Sequence, residues 1–185
     1  MAKQKSLKLN YIYNVSYQVL SLITPLITTP YVSRVLGADG IGDYSFTASV
    51  VTYFSMVAVL GTLTYGNREI SYLQDDRAAR STLFWEIELL SFLSTGICTA
   101  AYLIFLLFCD RSRFSLYAIQ TISIVCVAFD IAWLLQGMEE FGKVMFRNML
   151  FKVVNIVFIF TAVRDKDDLF LYVAGMVLLA LASNL

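Results

Sequence analysis

The chain has 185 residues, 58% of them hydrophobic, with 14 basic and 14 acidic side chains and not one histidine. The balanced charge gives no pointer to a nucleic-acid partner, and the missing histidine removes the commonest general base and metal ligand. Three cysteines, Cys98, Cys109 and Cys126, stand singly in or beside apolar runs with no CxxC spacing. They suggest neither a disulfide framework nor a metal site and read as small packing residues.

Charge is confined to the gaps between long uncharged runs: Leu9–Ser33, Tyr44–Asn67, Leu89–Cys109, Phe114–Phe129 resuming to Met138 after Asp130, Val153–Val163 and Leu169–Leu185. A helix needs about 20 apolar residues to cross a bilayer core. The runs predict an all-α, polytopic membrane bundle of about six helices, with residues 1–185 as a single transmembrane domain. Transmembrane β-strands would be about 10 residues long and alternate in polarity, which these runs do not. The first run is also longer than the 7–15-residue core of a cleaved signal peptide.

Residues 1–8 form a basic head. Helix one, about Tyr11 to Val35, carries one polar stripe, Asn14, Tyr17, Gln18, Ser21, Thr24 and Thr28, at spacings of three and four. These share one face, opposite the apolar Val15, Val19, Leu22 and Leu26. Pro25 and Pro30 remove backbone donors and free the carbonyls of Ser21 and Leu26. The segment Gly37–Gly42 reads as a tight turn, and its glycines lack the order and preceding strand of a phosphate loop.

Helix two, about Tyr44 to Tyr65, repeats Ser45, Ser49, Thr52 and Ser55 as a small-residue packing face. Residues 68–88 read as an amphipathic connector with a short interfacial helix. Helices three to five follow at about Leu83–Phe108, Ser115–Gly137 and Val144–Val163. Helix six begins near Leu169 and reaches Leu185 without a flanking charge, as if the sequence were cut there. Trp85, Trp133 and the tyrosines suit interfacial belts.

Lys and Arg number nine in the N-terminal head and alternate loops, against five in the others. The positive-inside rule therefore places the N-terminus in the cytoplasm. Asp130 is the one ionisable group expected inside helix four, where an unpaired Asp costs about 2.5–3.5 kcal/mol. It is a candidate ion- or proton-coupling carboxylate, or half of a structural pair. Arg147, Asn148, Lys152 and Asn155 share a face of helix five and suggest an anion site for a phosphate-bearing substrate, with snorkelling as the plainer account. Arg34 and Arg68 sit at helix ends, where interfacial anchoring is the default. Glu139 and Glu140 adjoin at a helix end and point in different directions, which does not suit a catalytic pair.

Three stretches, ITTPYVSRVLGADGIGDYSF within residues 14–46, YGNREIS from Tyr65, and FDIAWLLQGMEEFGKVMFRNMLFKVVNIVFIF from Phe129, resemble the bacterial polysaccharide-transporter family of O-antigen and repeat-unit flippases. The resemblance covers nearly the whole chain, but only the front half of the family's architecture. It implies one lobe of a two-lobed exporter resembling multidrug exporters. It also implies movement of an undecaprenyl-diphosphate-linked oligosaccharide across the bacterial inner membrane by alternating access. No cofactor or metal is expected. Partners would be membrane lipids, H+ or Na+ as coupling ion, and polymerase and glycosyltransferase proteins of the same pathway.

On that basis Asn14, Gln18, Ser21, Arg34, Arg68, Gln136, Arg147 and Lys152 are substrate-pathway candidates, and Asp130 and Glu139 are coupling candidates. A drug/cation antiporter or a peptidoglycan-precursor flippase fits the same physical features. A membrane-embedded polymerase or transferase would show acidic metal motifs or a large catalytic loop, and the longest loop carries only Asp75-Asp76.

Overall fold

The structure, a computed structural model, describes residues 7–184. Most of the basic head, including Lys3 and Lys5, lies outside the described residues, as does the side chain of Lys8. Seven α-helices occur among the described residues: α1 Leu7–Val59, α2 Thr62–Tyr72, α3 Arg77–Phe108, α4 Phe114–Val125, α5 Ala132–Gly137, α6 Phe141–Ala162 and α7 Leu169–Asn184. Short 3-10 turns precede α4 and α7, and another joins α4 towards α5.

Helix α1 consists of two arms joined at Gly37, the one residue inside it with non-helical dihedrals (φ 74°, ψ 175°). Contacts show that the chain reverses there. Along the first arm, Ser21 meets Lys152 and Tyr31 meets Val163, so this arm runs parallel to α6. Along the second arm, Asp43 meets Arg113 and Thr47 meets Gln120, so it runs parallel to α4. Ala58, near its end, meets Ser94 of α3.

Among the described residues, five helical segments are long and apolar enough to cross a membrane. With the first doubled back at Gly37, the chain passes six times, and it is a multi-pass membrane protein. One end of the bundle carries Gly37 and the loops around 110 and 165. The other carries α2 and α5.

The arms follow from their side chains. Val15, Val19, Leu22 and Leu26 are exposed on the outside of the first arm, while Thr24, Thr28, Val32 and Leu36 are buried. Tyr17, Ser21, Thr24 and Thr28 of the polar stripe thus face the bundle, Gln18 is exposed, and the apolar face is left for lipid. Both prolines fall inside the helix without ending it, because the dihedrals stay helical past them. The expected turn at 37–42 shrinks to Gly37 alone, and residues 38–42 are already helical. A φ of +74° with ψ near 180° belongs to a region open essentially only to glycine, which explains the single-residue reversal.

The second arm packs through Thr47, Val51 and Ala58 against Tyr102, Tyr117 and Ile124. The Ser45–Ser49–Thr52 series is exposed instead, with Ser49 and Thr52 donating to the carbonyls of Ser45 and Ala48 one turn back. Those hydroxyls satisfy themselves within their own helix and do not bring helices together, contrary to the packing expectation. The arm also ends early, at Leu60 and Gly61, both with positive φ. Tyr65 therefore belongs to the separate amphipathic helix α2, and the connector after it is only residues 73–76.

Helix α2 buries Thr62, Gly66 and Ile70, one turn apart, with Thr62 meeting Ser91 of α3 and Gly66 and Ile70 meeting α5. Trp133 of α5 is buried and stacks on Phe84 of α3 at 5.8 Å, so it is a core residue and not a belt residue. Trp85 is exposed.

The expected fourth span is broken. After α4 the chain tightens through Cys126–Phe129 and leaves helical geometry at Asp130 (ψ 93°) before α5 begins. The Asp130 carboxylate accepts from Ala132 N–H at 3.0 Å, offering the backbone a local alternative to the helix. The carbonyl of Cys126, four residues before the break, accepts from Asn184 Nδ2 of α7 at 3.0 Å. A polar backbone group released at membrane depth is costly unless it finds a partner. Asn184 supplies one.

Candidate functional site

Two clefts collect the polar residues. The first, of about 420 Å³, lies between the first arm of α1, α6 and α7, and is lined by Thr24, Thr28, Lys152, Asn155, Tyr172 and Met176 among others. Lys152 is half-buried; its Nζ donates to Ser21 Oγ at 2.6 Å and stands 5.0 Å from the centre of the Tyr17 ring. An ammonium has three donors and no acceptor, and one bond to Ser21 leaves two for other acceptors. Thr24 and Thr28 donate to the carbonyls of Leu20 and Thr24 within their own helix. Asn155 Nδ2 approaches Met176 Sδ at 3.0 Å. This is a cationic point in a partly apolar slot, suited to a single anionic group rather than to bidentate recognition.

The second cleft, of about 340 Å³, lies at the α2 end between α2 and α5. Its walls include Asn67, Arg68, Asp130, Trp133 and Gln136. Asn67 Nδ2 donates to Gln136 Oε1 at 3.3 Å, Arg68 pairs with Glu69 at 2.8 Å, and Gln74 Nε2 donates to Gly137 O at 2.9 Å. Asp130 is therefore at the mouth of a break and on a cleft wall, not inside a continuous helix as its sequence setting suggests. Its exposure to that cleft removes much of the burial cost expected of a mid-helix carboxylate.

The sequence candidates separate accordingly. Ser21 and Lys152 come together across 131 positions of chain. Arg68, Asp130 and Gln136 come together in the second cleft. Gln18 is exposed on the first arm, and the side chain of Asn14 lies outside the described residues. Arg147 bonds its neighbour Asn148 and is not among the residues lining either cleft, so Lys152 enters the slot without it. Arg34 is exposed near the Gly37 turn. Glu139 is exposed with φ +57°, just past α5 and outside both linings.

Two features escaped the sequence reading. Asp43 and Arg113 form an ion pair at 2.6 Å that fixes the second arm to the start of α4. Glu88 of α3 is buried, at 6% exposure, although it lies within what reads as a connector. Its signal was the spacing to Ser91 and Thr95, which continues the helix face of α3 back to position 88.

The polysaccharide biosynthesis protein family matches residues 7–185. A protein of Escherichia coli (strain K12) named "Putative O-antigen transporter" is 22% identical over 167 residues, covering 89% of this chain and 40% of the relative. A Shigella dysenteriae protein of the same name is 23% identical over 146 residues, covering 78% of this chain and 37% of the relative. The chain thus spans about two fifths of the length of these curated relatives. No solved structure matches it. With a six-pass helical bundle, polar clefts between its helices and a family match across all but its first six residues, this chain belongs to the polysaccharide biosynthesis protein family.

Proposed function

We propose that the chain forms one lobe of a membrane exporter that moves a lipid-linked oligosaccharide, carried on undecaprenyl diphosphate, across the bacterial inner membrane. The observation that carries this is Lys152. A half-buried cation within a membrane-spanning helix, in a slot between three helices and beside Tyr17, suits a diphosphate passing along the lobe. The names of the two relatives point to O-antigen transport. The lysine and arginine distribution supports an orientation with the N-terminus and the α2 end in the cytoplasm.

Export demands that the slot hold the anion without trapping it, and a lone ammonium meets that better than a bidentate guanidinium. The test is binding of undecaprenyl-diphosphate oligosaccharide to the chain in lipid vesicles. Lys152→Gln is expected to weaken binding about 10- to 100-fold, the scale of one charge-assisted hydrogen bond. Equal binding by the two proteins would remove the slot from the substrate path.

A further inference from the structure

Three charged residues stand together in the turn between α3 and α4, and two of them are spoken for. Asp110 accepts from the hydroxyl and the N–H of Ser112 at 2.7 Å and 3.1 Å. Arg113 pairs with Asp43 at 2.6 Å, and its guanidinium stands 5.3 Å from the centre of the Phe46 ring. Arg111, between them, is exposed and has no hydrogen-bond or ion-pair partner among the described residues. It forms one wall of a third cleft, of about 430 Å³, whose other walls are Leu106, Leu107, Cys109 and Phe114. The Cys109 thiol donates to the Leu106 carbonyl at 3.3 Å, so the guanidinium is the one uncommitted polar side chain among those five.

The cleft has the size of a small-molecule site, and its place in the membrane says what kind of molecule fits. Leu107 is 80% exposed in the last turn of α3, within a span apolar enough to cross a membrane, so it faces acyl chains. Helix α3 stops at Phe108 and the next span starts at Arg111, which puts the guanidinium where hydrocarbon gives way to headgroups. A molecule with an apolar tail and an anionic head at that depth is a phospholipid. The planar fork of an arginine matches the two unbridged oxygens of a phosphodiester. No carboxylate lines the cleft, and the adjacent Asp110 is taken up by Ser112, so nothing there pairs with the cation of a zwitterionic headgroup.

We propose that this cleft binds one anionic phospholipid, of the phosphatidylglycerol class, from the leaflet at the Gly37 end. Its phosphate sits on Arg111 and an acyl chain lies along Leu106, Leu107 and Phe114. Arg113 ties the turn to the second arm of α1, and Arg111 ties it to lipid. The site is built from α3, α4 and the turn between them, apart from the Lys152 slot between α1, α6 and α7, and does not depend on what that slot carries. Plain interfacial anchoring would let Arg111 meet any passing phosphate; a site retains one class of lipid in preference.

Photolabelling of the full chain in vesicles of mixed phosphatidylglycerol and phosphatidylcholine tests it. A phosphatidylglycerol with a diazirine beside its headgroup should label residues 106–114 about 5-fold more than the phosphatidylcholine analogue, the scale of one basic residue at an anionic membrane surface. Arg111→Gln should bring the two analogues level, whereas Arg164→Gln, at an exposed arginine of the same end, should leave the preference intact. Should Arg111→Gln fail to fold, competition on the unmodified chain decides the matter: excess unlabelled phosphatidylglycerol must suppress the labelling and excess phosphatidylcholine must not. Equal labelling by the two analogues, a preference that survives Arg111→Gln, or one that falls equally in Arg164→Gln would overturn the site. Stronger suppression by undecaprenyl phosphate than by phosphatidylglycerol would put the cleft on the substrate path and overturn the lipid assignment.

Discussion

Lys152 Nζ and Ser21 Oγ meet at 2.6 Å, joining α6 to the first arm of α1 from positions 131 residues apart. Interhelical hydrogen bonds within membranes are worth about 0.6 kcal/mol on average and up to about 1.7. With one charged partner, the coupling here is expected near the upper half of that range. A double-mutant cycle of Lys152→Met and Ser21→Ala, read by unfolding in detergent, should return about 1 kcal/mol. A cycle that closes to zero would mean that the two side chains do not support each other.

The seam between α2 and α5 is closed by glycines. A Cβ on Gly66 would stand 2.5 Å from Trp133 Cε3, and one on Gly137 would stand 2.8 Å from the carbonyl oxygen of Asn67. Gly66→Ala and Gly137→Ala should each lower stability by about 1–3 kcal/mol, as overpacking does. Gly42→Ala, in a helix with open space around the added carbon, should be neutral or slightly stabilising. Thermal melts of the three variants make the comparison.

At Gly37 the obstacle is the backbone itself, because a Cβ there meets only Lys166 Cε at 3.9 Å. Gly37→Ala should therefore cost about 1–3 kcal/mol through strain alone. A variant with unchanged melting temperature would show that the reversal tolerates an ordinary residue.

Orientation is open to a chemical test. With Cys109 replaced by Ser, a cysteine at Ala38 should react with an impermeant reagent added outside cells, while one at Ala78 should react only after permeabilisation. Both positions are exposed in the structure. The reverse pattern would invert the proposed topology.

The loop before α4 has its own pH dependence. Asp110 accepts from the Ser112 hydroxyl at 2.7 Å and from its N–H at 3.1 Å, and these bonds hold its carboxyl below the usual carboxylate range. Because the folded value is depressed, the cap is fully present above the ordinary Asp range and fades as pH falls through the lowered value. Hydrogen exchange at the Ser112 amide should slow accordingly with rising pH, relative to Asp110→Ala.

The number of membrane passes and the inward-facing run from Ser21 to Thr28 on helix one were legible in the sequence because both are local periodicities. Lys152 was legible because a cation inside an apolar run is costly wherever it falls. The break at Asp130 was not, since hydropathy averages over a window and the carbonyl it frees is satisfied by Asn184, 58 positions away. The burial of Glu88 goes with Phe84 and Phe92 of α3 packing on Trp133 and Phe129 from another part of the chain. The early end of the second arm rests on two positive φ values, at Leu60 and Gly61, and the leucine gives no warning of one.

The reversal at Gly37 leaves that end of the bundle with almost no handle of its own. Between the first two passes there is no loop for a protease to cut, an antibody to grasp or a fusion partner to occupy. An affinity tag or reporter placed there would have to prise apart two helices before it displayed anything. Residues 164–167 at the same end are exposed, but the Asp168 carboxylate holds the N–H groups of Arg164 and Asp165 there and starts α7.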